Sequence, residues 1–451
     1  MRRLLWSDTD WRVVRAHFEA AKPHEEAAFL LIRSGRTTHG RRMMVERVLL
    51  PSHDSFERQG HDYLRPTSKW ISAVISAAVA TGTGVAFIHS HPDEHHPAAL
   101  SALDVETSIT WGKTLGAIIP GPFASVVWSP AGMAGVILDE ICEPVAIDSF
   151  ESYGERSIEL LNVDRFTSQD SDLDDRQARA LTVLGNRRLR NMRLAIVGVG
   201  GTGSPLAEQL VRSGISEVVL VDPDRLDDPS NVRRVVGSTT QDLGAQKVSI
   251  VGRHLRSIGF STDIVEIGQD VRYEHVIRRV LDCDLIISTT DTQSSRALIN
   301  QVAYQYWIPT IDVGLRVGTT SAGQISGMPV EVRTLLPATG CLWCRKYVLS
   351  SQAIYEENLP SAEQRALQDE GYVQGVRGPQ PSLTPLNSFA ASVAFLTALR
   401  AYSGLEVPFM SVIIDPWDQF VHAMPTAVDA ECVCAQWRGK GDDASVPFLP
   451  T

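Results

Sequence analysis

The 451-residue chain has no uninterrupted apolar run of the roughly eighteen residues that a membrane-spanning helix needs. Its opening stretch, MRRLLWSDTDWRVVRAHFEA, breaks every apolar patch with charge too early for a secretory core, so a cytoplasmic location is expected, with no membrane partner. Long basic runs are missing too. The 42 Lys and Arg are outnumbered by 53 Asp and Glu, for a net charge of -11, which speaks against nucleic acid as the main partner. Cysteine is scarce: six in the whole chain make no disulfide scaffold, and closely spaced pairs read better as metal ligands. The stretch 349–400 contains none at all. The 43% apolar and 21% charged residues are those of a soluble globular protein, and the length allows two cores.

The stretch RLAIVGVGGTGSPLAEQLVRSGISEVVLVDPD organises the second half. The apolar run Arg193 to Val197 meets Gly198, Gly200, Gly201 and Gly203, and a helical segment follows until Gly214. Strand, glycine turn and helix bring free N–H groups to a phosphate. A second apolar run ends in Asp222, an acid placed to accept hydrogen bonds from a ribose hydroxyl. Alone, this pattern most often means dinucleotide redox chemistry. Asn231, Arg234 and Lys247 follow close behind, and a triphosphate attacked at its α-phosphate needs such groups where a hydride donor does not. The strand DLIIST then delivers Asp291 at its carboxyl end, a place for a Mg²⁺ ligand.

The ordered set G-x-G-G-x-G, D-x-D, S-N-x-x-R, G-x-x-K and S-T-x-D-x-x-x-x-R resembles the ubiquitin-activating and ThiF/MoeB/HesA adenylating enzymes over roughly residues 160 to 437. The resemblance implies that Asp222 and Asp224 (D-x-D) serve the nucleotide, with Asp222 on the ribose. It also implies that Asn231, Arg234 and Lys247 hold the phosphates of ATP, and that Asp291 binds Mg²⁺ beside Arg296. It further implies a homodimer, with Arg176 the choice for an arginine reaching the partner's ATP. Thr292 and Val235 replace an Asn and a Gln common in the family. Many members carry a nucleophilic cysteine in the crossover region, which here falls in the cysteine-free stretch. The thioester step is therefore lost or altered: the adenylate is released or relayed, or a paired cysteine serves instead. Ser382 and Thr384 offer hydroxyls without a supporting motif.

Strand-like AAFLLIR, MVERVLL, GVAFIHS, ASVVW and AGVIL, with the amphipathic helix TSKWISAVISAAVAT, give residues 1–145 an α+β core of their own. Within FIHSHPDEHHPAALSALDVE, His89 and His91 leave a strand on one face, and Asp104 follows on the next helix. Two imidazoles and a carboxylate leave zinc a position open for water, and Glu25 is the candidate base, with Glu26 its rival. These residues resemble the JAMM (MPN/JAB) metalloproteases, whose pattern is a glutamate, H-x-H-P and S-x-x-D. The resemblance implies a catalytic zinc on His89, His91 and Asp104, a water-activating Glu25, and Ser101 as a donor to the oxyanion. Solvated loop imidazoles are the plain alternative, and the preferred one for His95 and His96.

Residues 146–190 read as a polar linker and lead-in helix, 191–440 as a doubly wound α/β adenylating domain, and 441–451 as a tail. Cys341 and Cys344 in C-x-x-C and Cys432 and Cys434 in C-x-C suit a structural zinc, while Cys142 and Cys283 read as core thiols. Together the two halves point to a bifunctional enzyme. One half charges the C-terminal carboxylate of a ubiquitin-like or sulfur-carrier protein with a glycine-rich tail, in a pathway that can include a conjugating-type protein. The other trims or releases the same tail. A tailoring enzyme that adenylates a small peptide or metabolite, and a non-catalytic interaction protein, are the other readings.

Overall fold

A computed structural model describes residues 1–92, 98–138, 143–161, 175–320, 322–346, 348–359, 381–402, 411–424 and 427–449. It divides into two compact units. The first comprises Met1–Thr167, Gln305–Trp307 and Trp437–Ser445, and the second Ser168–Tyr304, Ile308–Gln436 and Val446–Thr451. None of the described helices is long and apolar enough to cross a membrane.

The first unit runs β1 (Arg2–Ser7), α1 (Asp8–Ala21), β2 (Ala27–Arg36), β3 (Arg41–Leu49), β4 (Phe56–Gln59), β5 (Leu64–Pro66), α2 (Ser68–Thr81), β6 (Gly84–Ser90), α3 (Ala102–Leu115), β7 (Phe123–Ser129), β8 (Gly132–Leu138), β9 (Pro144–Ala146), β10 (Ser149–Tyr153) and β11 (Ile158–Leu160). A nine-stranded sheet in the order β11-β10-β1-β3-β2-β6-β7-β8-β9 carries a core on each face. The run AAFLLI of β2 explains why both faces are dry. Ala28, Leu30 and Ile32 join Trp11, Val14 and Phe18 of α1, while Ala27, Phe29 and Leu31 join Trp70 and Val74 of α2. Ser7 caps α1 by accepting from the Asp10 N–H, and Thr67 caps α2 at the Trp70 N–H. Gly82, at φ 70°, ends α2 in the left-handed region.

β1 with α1, and β9 to β11, are absent from the strand and helix assignments made on the sequence, and β10 and β11 lie where a polar linker is expected. The cause is charge: Glu151 of β10 is 1% exposed because Arg3 of β1 donates to it at 2.9 Å, and Ser149 and Tyr153 donate to the same carboxylate. A buried, fully bonded carboxylate reads in sequence as a solvated one. Residues 437–445 likewise include part of the expected tail. Asp443 pairs with Arg33 of β2 at 2.7 Å, Lys440 with Glu46 of β3 at 2.8 Å, and Asp442 accepts from the Tyr306 hydroxyl at 2.9 Å.

The second unit opens with α4 (Asp175–Asn191), interrupted at Thr182. It continues through β12 (Arg193–Val197), α5 (Gly203–Arg212), β13 (Glu217–Val221), α6 (Lys247–Ser257), β14 (Asp263–Ile267), α7 (Glu274–Val280), β15 (Leu285–Ser288), α8 (Gln293–Gln305) and β16 (Thr310–Leu315). The short β17 (Gly318–Thr319) and β18 (Ile325–Gly327) precede β19 (Val330–Leu335), α9 (Ser351–Glu357), α10 (Thr384–Tyr402), β20 (Val412–Asp415) and β21 (Phe420–Ala423). The sheet order is β14-β13-β12-β15-β16-β19-β20-β21, parallel from β14 to β16 and antiparallel beyond. Chain order reverses between β12 and β15, and at such a switch point the carboxyl ends of the strands open a crevice.

Candidate functional site

That crevice is a cavity of about 640 Å³. Gly198, Gly200, Gly201, Asp222, Asp224, Asn231, Arg234, Lys247, Asp291 and Arg296 all line it. Gly203 does not; it opens α5, and a Cβ there would collide with the Gly198 carbonyl oxygen, so it serves the close approach of helix and turn. Asp222 anchors the turn by accepting from the Val199 N–H at 2.6 Å and the Asp224 N–H at 2.9 Å. Burial pushes its carboxyl above the ordinary range, against the pull of Lys247 and these two N–H groups. Lys247 pairs with Asp224 at 2.7 Å, and Arg234 donates to the Asn231 side-chain oxygen. Asp291 lies exposed at the cavity, with no hydrogen-bond partner or ion pair among the described residues. It is thus a carboxylate available to a cation. Arg296 is instead bound inward, its guanidinium 2.9 Å from Asp312 and donating to the Thr290 carbonyl at 3.0 Å.

A family model described as "ThiF family" matches residues 175–434. The chain belongs to the ThiF family. Among curated relatives, the sulfur carrier protein ThiS adenylyltransferase of Bacillus subtilis is 31% identical over 127 residues, 28% of this chain and 38% of that one. The SAMP-activating enzyme E1 of Haloferax volcanii is 27% identical over 160 residues, 36% of this chain and 55% of that one. The chain therefore spans only about a third to a half of these relatives. A solved structure of E. coli MccB with ATP aligns at a TM-score of 0.47 and 18% identity, covering 59% of this chain and 75% of that one.

The cavity of the ThiF-family unit also holds Glu331, Arg333 and Asn387, which the sequence did not single out. Behind it, buried Asp312 bridges Arg296 and Arg333, the latter at 2.6 Å, and Arg333 also donates to Glu331. Asn387 and Ser382, the latter one of the candidate hydroxyls, close another wall. A charged residue inside an apolar strand, as in TIDVG and EVRTLL, was the available signal for the Asp312–Arg333 pair. Asn387 carried none. Arg176 is exposed on α4.

The four paired cysteines come together, with Sγ separations of 3.7 Å (Cys341–Cys344), 3.7 Å (Cys341–Cys432) and 3.8 Å (Cys344–Cys434). A tetrahedral zinc with Zn–S bonds of about 2.3 Å sets its sulfurs about 3.8 Å apart, so the donor set fits that ion. Burial first, then neighbouring sulfurs, push the Cys432 thiol up to about 11. Contact with Cys434 and burial push Cys341 higher still. Cys434→Ser should cost one equivalent of tightly bound zinc and lower the melting temperature by about 10 °C. Unchanged zinc content would show that the cluster holds no metal. Cys283 is a buried free thiol, and Cys142 lies outside the described residues.

In the first unit, His89 is the penultimate residue of β6 and His91 directly follows the strand, with Nε2 atoms 3.2 Å apart. Asp104, in the first turn of α3, brings Oδ1 to 3.3 Å from His89 and Oδ2 to 3.9 Å from His91. Ligand atoms around a tetrahedral zinc bound at about 2.0–2.1 Å stand about 3.3 Å apart, so this triplet also fits. Burial would raise the Asp104 carboxyl, but hydrogen bonding and charge from His89 and hydrogen bonds from Ser101 outweigh it and hold it well below the carboxylate range. Ser101 is the N-cap of α3: its hydroxyl oxygen accepts from the Asp104 N–H at 3.1 Å, and Asp104 accepts from the Ser101 N–H at 2.8 Å.

Glu25 and Glu26 part company. Glu25 places Oε1 3.8 Å from His91, whereas Glu26 turns to His17 at 3.6 Å and to the Ala27 N–H at 2.9 Å. Glu25, His89, His91, Ser101, Asp104 and the aromatic Trp111 line one cavity of about 470 Å³. His95 and His96 lie outside the described residues.

Proposed function

We propose that the ThiF-family unit adenylates the C-terminal carboxylate of a small protein with a glycine-rich tail, of the ubiquitin-like or sulfur-carrier kind, and that the first unit is a JAMM-type zinc (iso)peptidase acting on the same tail. The observation that carries the first part is the gathering of Arg234, Lys247 and the exposed Asp291 around the glycine turn. Three phosphates need two cations and a metal-binding carboxylate there; a nicotinamide needs none of them. The names of the relatives, a ThiS adenylyltransferase and a SAMP-activating enzyme, supply the substrate class.

In the reaction, a carboxylate oxygen of the tail attacks the α-phosphorus. A new O–P bond forms as the bond to the β-phosphate breaks, and pyrophosphate departs. No proton has to move, so the residues position the groups and balance charge. Asp222 fixes the turn, and Arg234 and Lys247 meet the negative charge of the departing phosphates. Magnesium, held by Asp291 when bound, adds further positive charge at the phosphates. With no cysteine in residues 349–400, the acyl adenylate is the released or relayed product.

For the first unit, support comes from the His89, His91 and Asp104 triplet with Glu25 beside it. Zinc on that triplet would supply a Lewis acid and an acidified water. Glu25 is placed to take up the water proton and return it to the departing amine, and the Ser101 hydroxyl can donate to the developing oxyanion.

Pyrophosphate–ATP exchange measured with and without a carrier protein ending in Gly-Gly tests the central reading. Exchange should rise at least about tenfold with the carrier. Exchange driven only by a short peptide would point to a peptide-tailoring enzyme, and binding of a nicotinamide dinucleotide without exchange would overturn the reading.

A further inference from the structure

Asn387 sits in the first turns of α10, is 3% exposed, and lines the same cavity as the glycine turn. Its carboxamide lies directly on that turn: a Cβ built on Gly201 would stand 2.5 Å from Asn387 Nδ2 and 3.2 Å from Cγ. Gly201 therefore has no side chain because the Asn387 amide occupies that space. The helix start is tied down by contacts of its own. The Thr384 hydroxyl donates to the Arg233 carbonyl at 3.0 Å, next to the cation Arg234, and Gln209 of α5 donates to Ser392 at 3.0 Å. A carboxamide nitrogen carries two N–H donors. Asn387 gives one to the Ser382 hydroxyl at 3.0 Å, and the other finds no acceptor among the described residues. A buried donor left open in a polar cavity calls for an acceptor supplied from outside the fold.

We propose that Asn387 is a nucleotide-positioning residue: its free N–H donates to a phosphate oxygen of the nucleoside triphosphate seated on the glycine turn. This rests on the nucleotide reading of the cavity. The amide is neutral, so it directs a phosphate without adding a charge to those of Arg234 and Lys247, and Ser382 fixes its plane. The same pairing bears on the missing cysteine. Ser382 receives a hydrogen bond and has no carboxylate or imidazole bonded to it among the described residues. It is set to orient Asn387 and, among the described residues, has no base of the kind a nucleophile requires.

The test is Mg·ATP and adenosine binding to the full chain, wild type against Asn387→Ala and Asn387→Asp, by calorimetry. Loss of one hydrogen bond to a charged oxygen should weaken ATP binding about tenfold in Asn387→Ala. Asn387→Asp, nearly the same shape but a charged acceptor, should weaken it at least about a hundredfold. Adenosine, which has no phosphate, should bind all three alike. The proposal is overturned if the aspartate variant binds ATP no worse than the alanine variant, or if adenosine affinity falls in step with ATP. Asn387→Ala, a smaller and helix-favouring residue, decides the matter should the aspartate variant not fold. A wild-type protein that binds adenosine but not ATP would sink the reading of the cavity itself, whereas variants indistinguishable from an ATP-binding wild type would sink only the role of Asn387.

Discussion

Asp291→Asn should lower carrier-dependent pyrophosphate exchange about a thousandfold while leaving tail cleavage by the first unit at its wild-type rate. A metal ion anchored by this carboxylate would contribute several kcal/mol of charge stabilisation to phosphoryl transfer, and each 1.36 kcal/mol is tenfold in rate. Asp291 is exposed and bonded to no described residue, so its replacement should cost the fold less than about 0.5 kcal/mol. Raising Mg²⁺ should restore part of the activity, because the amide still offers one oxygen. Exchange within tenfold of wild type would remove Asp291 from the metal site, and a joint loss of exchange and cleavage would mark it as a residue of the fold.

Glu25→Gln should lower cleavage of a carrier extended beyond its tail by about a thousandfold, within the range that general acid–base catalysis contributes. Zinc content should not change, because His89, His91 and Asp104 would supply the ligand atoms and Glu25 stands 3.8 Å from His91. The paired control is Glu26→Gln. That side chain faces His17, and its loss should alter cleavage no more than a few-fold. Departure of zinc from Glu25→Gln would make Glu25 a ligand. A larger effect from Glu26→Gln would give that neighbour the role of base.

Local pattern made much of this legible. The apolar runs at 193–197, 217–221 and 285–288, followed directly by Gly198, Asp222 and Thr289 of the crevice, are strands in the structure, and the glycine turn between the first strand and α5 lines the cavity. The alternation of His89 and His91 and the spacing of the four cysteines bring their donor atoms within 4.8 Å. Pairing across long stretches of chain stayed hidden. β10 looks like linker until Arg3, 148 positions away, is seen neutralising Glu151. Asp312 and Arg333 look misplaced in apolar strands until each is seen as the other's counter-ion. Asn387 has no motif, because its significance lies in the space above Gly201, which only the folded chain defines.

The first unit is assembled from three separate stretches of sequence, with Gln305–Trp307 and Trp437–Ser445 completing what Met1–Thr167 begins. Arg42 donates to the Tyr306 carbonyl at 2.9 Å and to the Trp307 carbonyl at 2.8 Å, and is fully buried in doing so. A fragment ending near residue 167 would take these two carbonyl acceptors away from a buried guanidinium, at the cost of buried hydrogen bonds left unmade. Dissection by truncation would report a damaged first unit whatever the chemistry of its cleft. The two proposed activities are better separated by point substitution in the intact polypeptide, and a gene fusion or a protease cut that respected only the linear map would inherit the same defect.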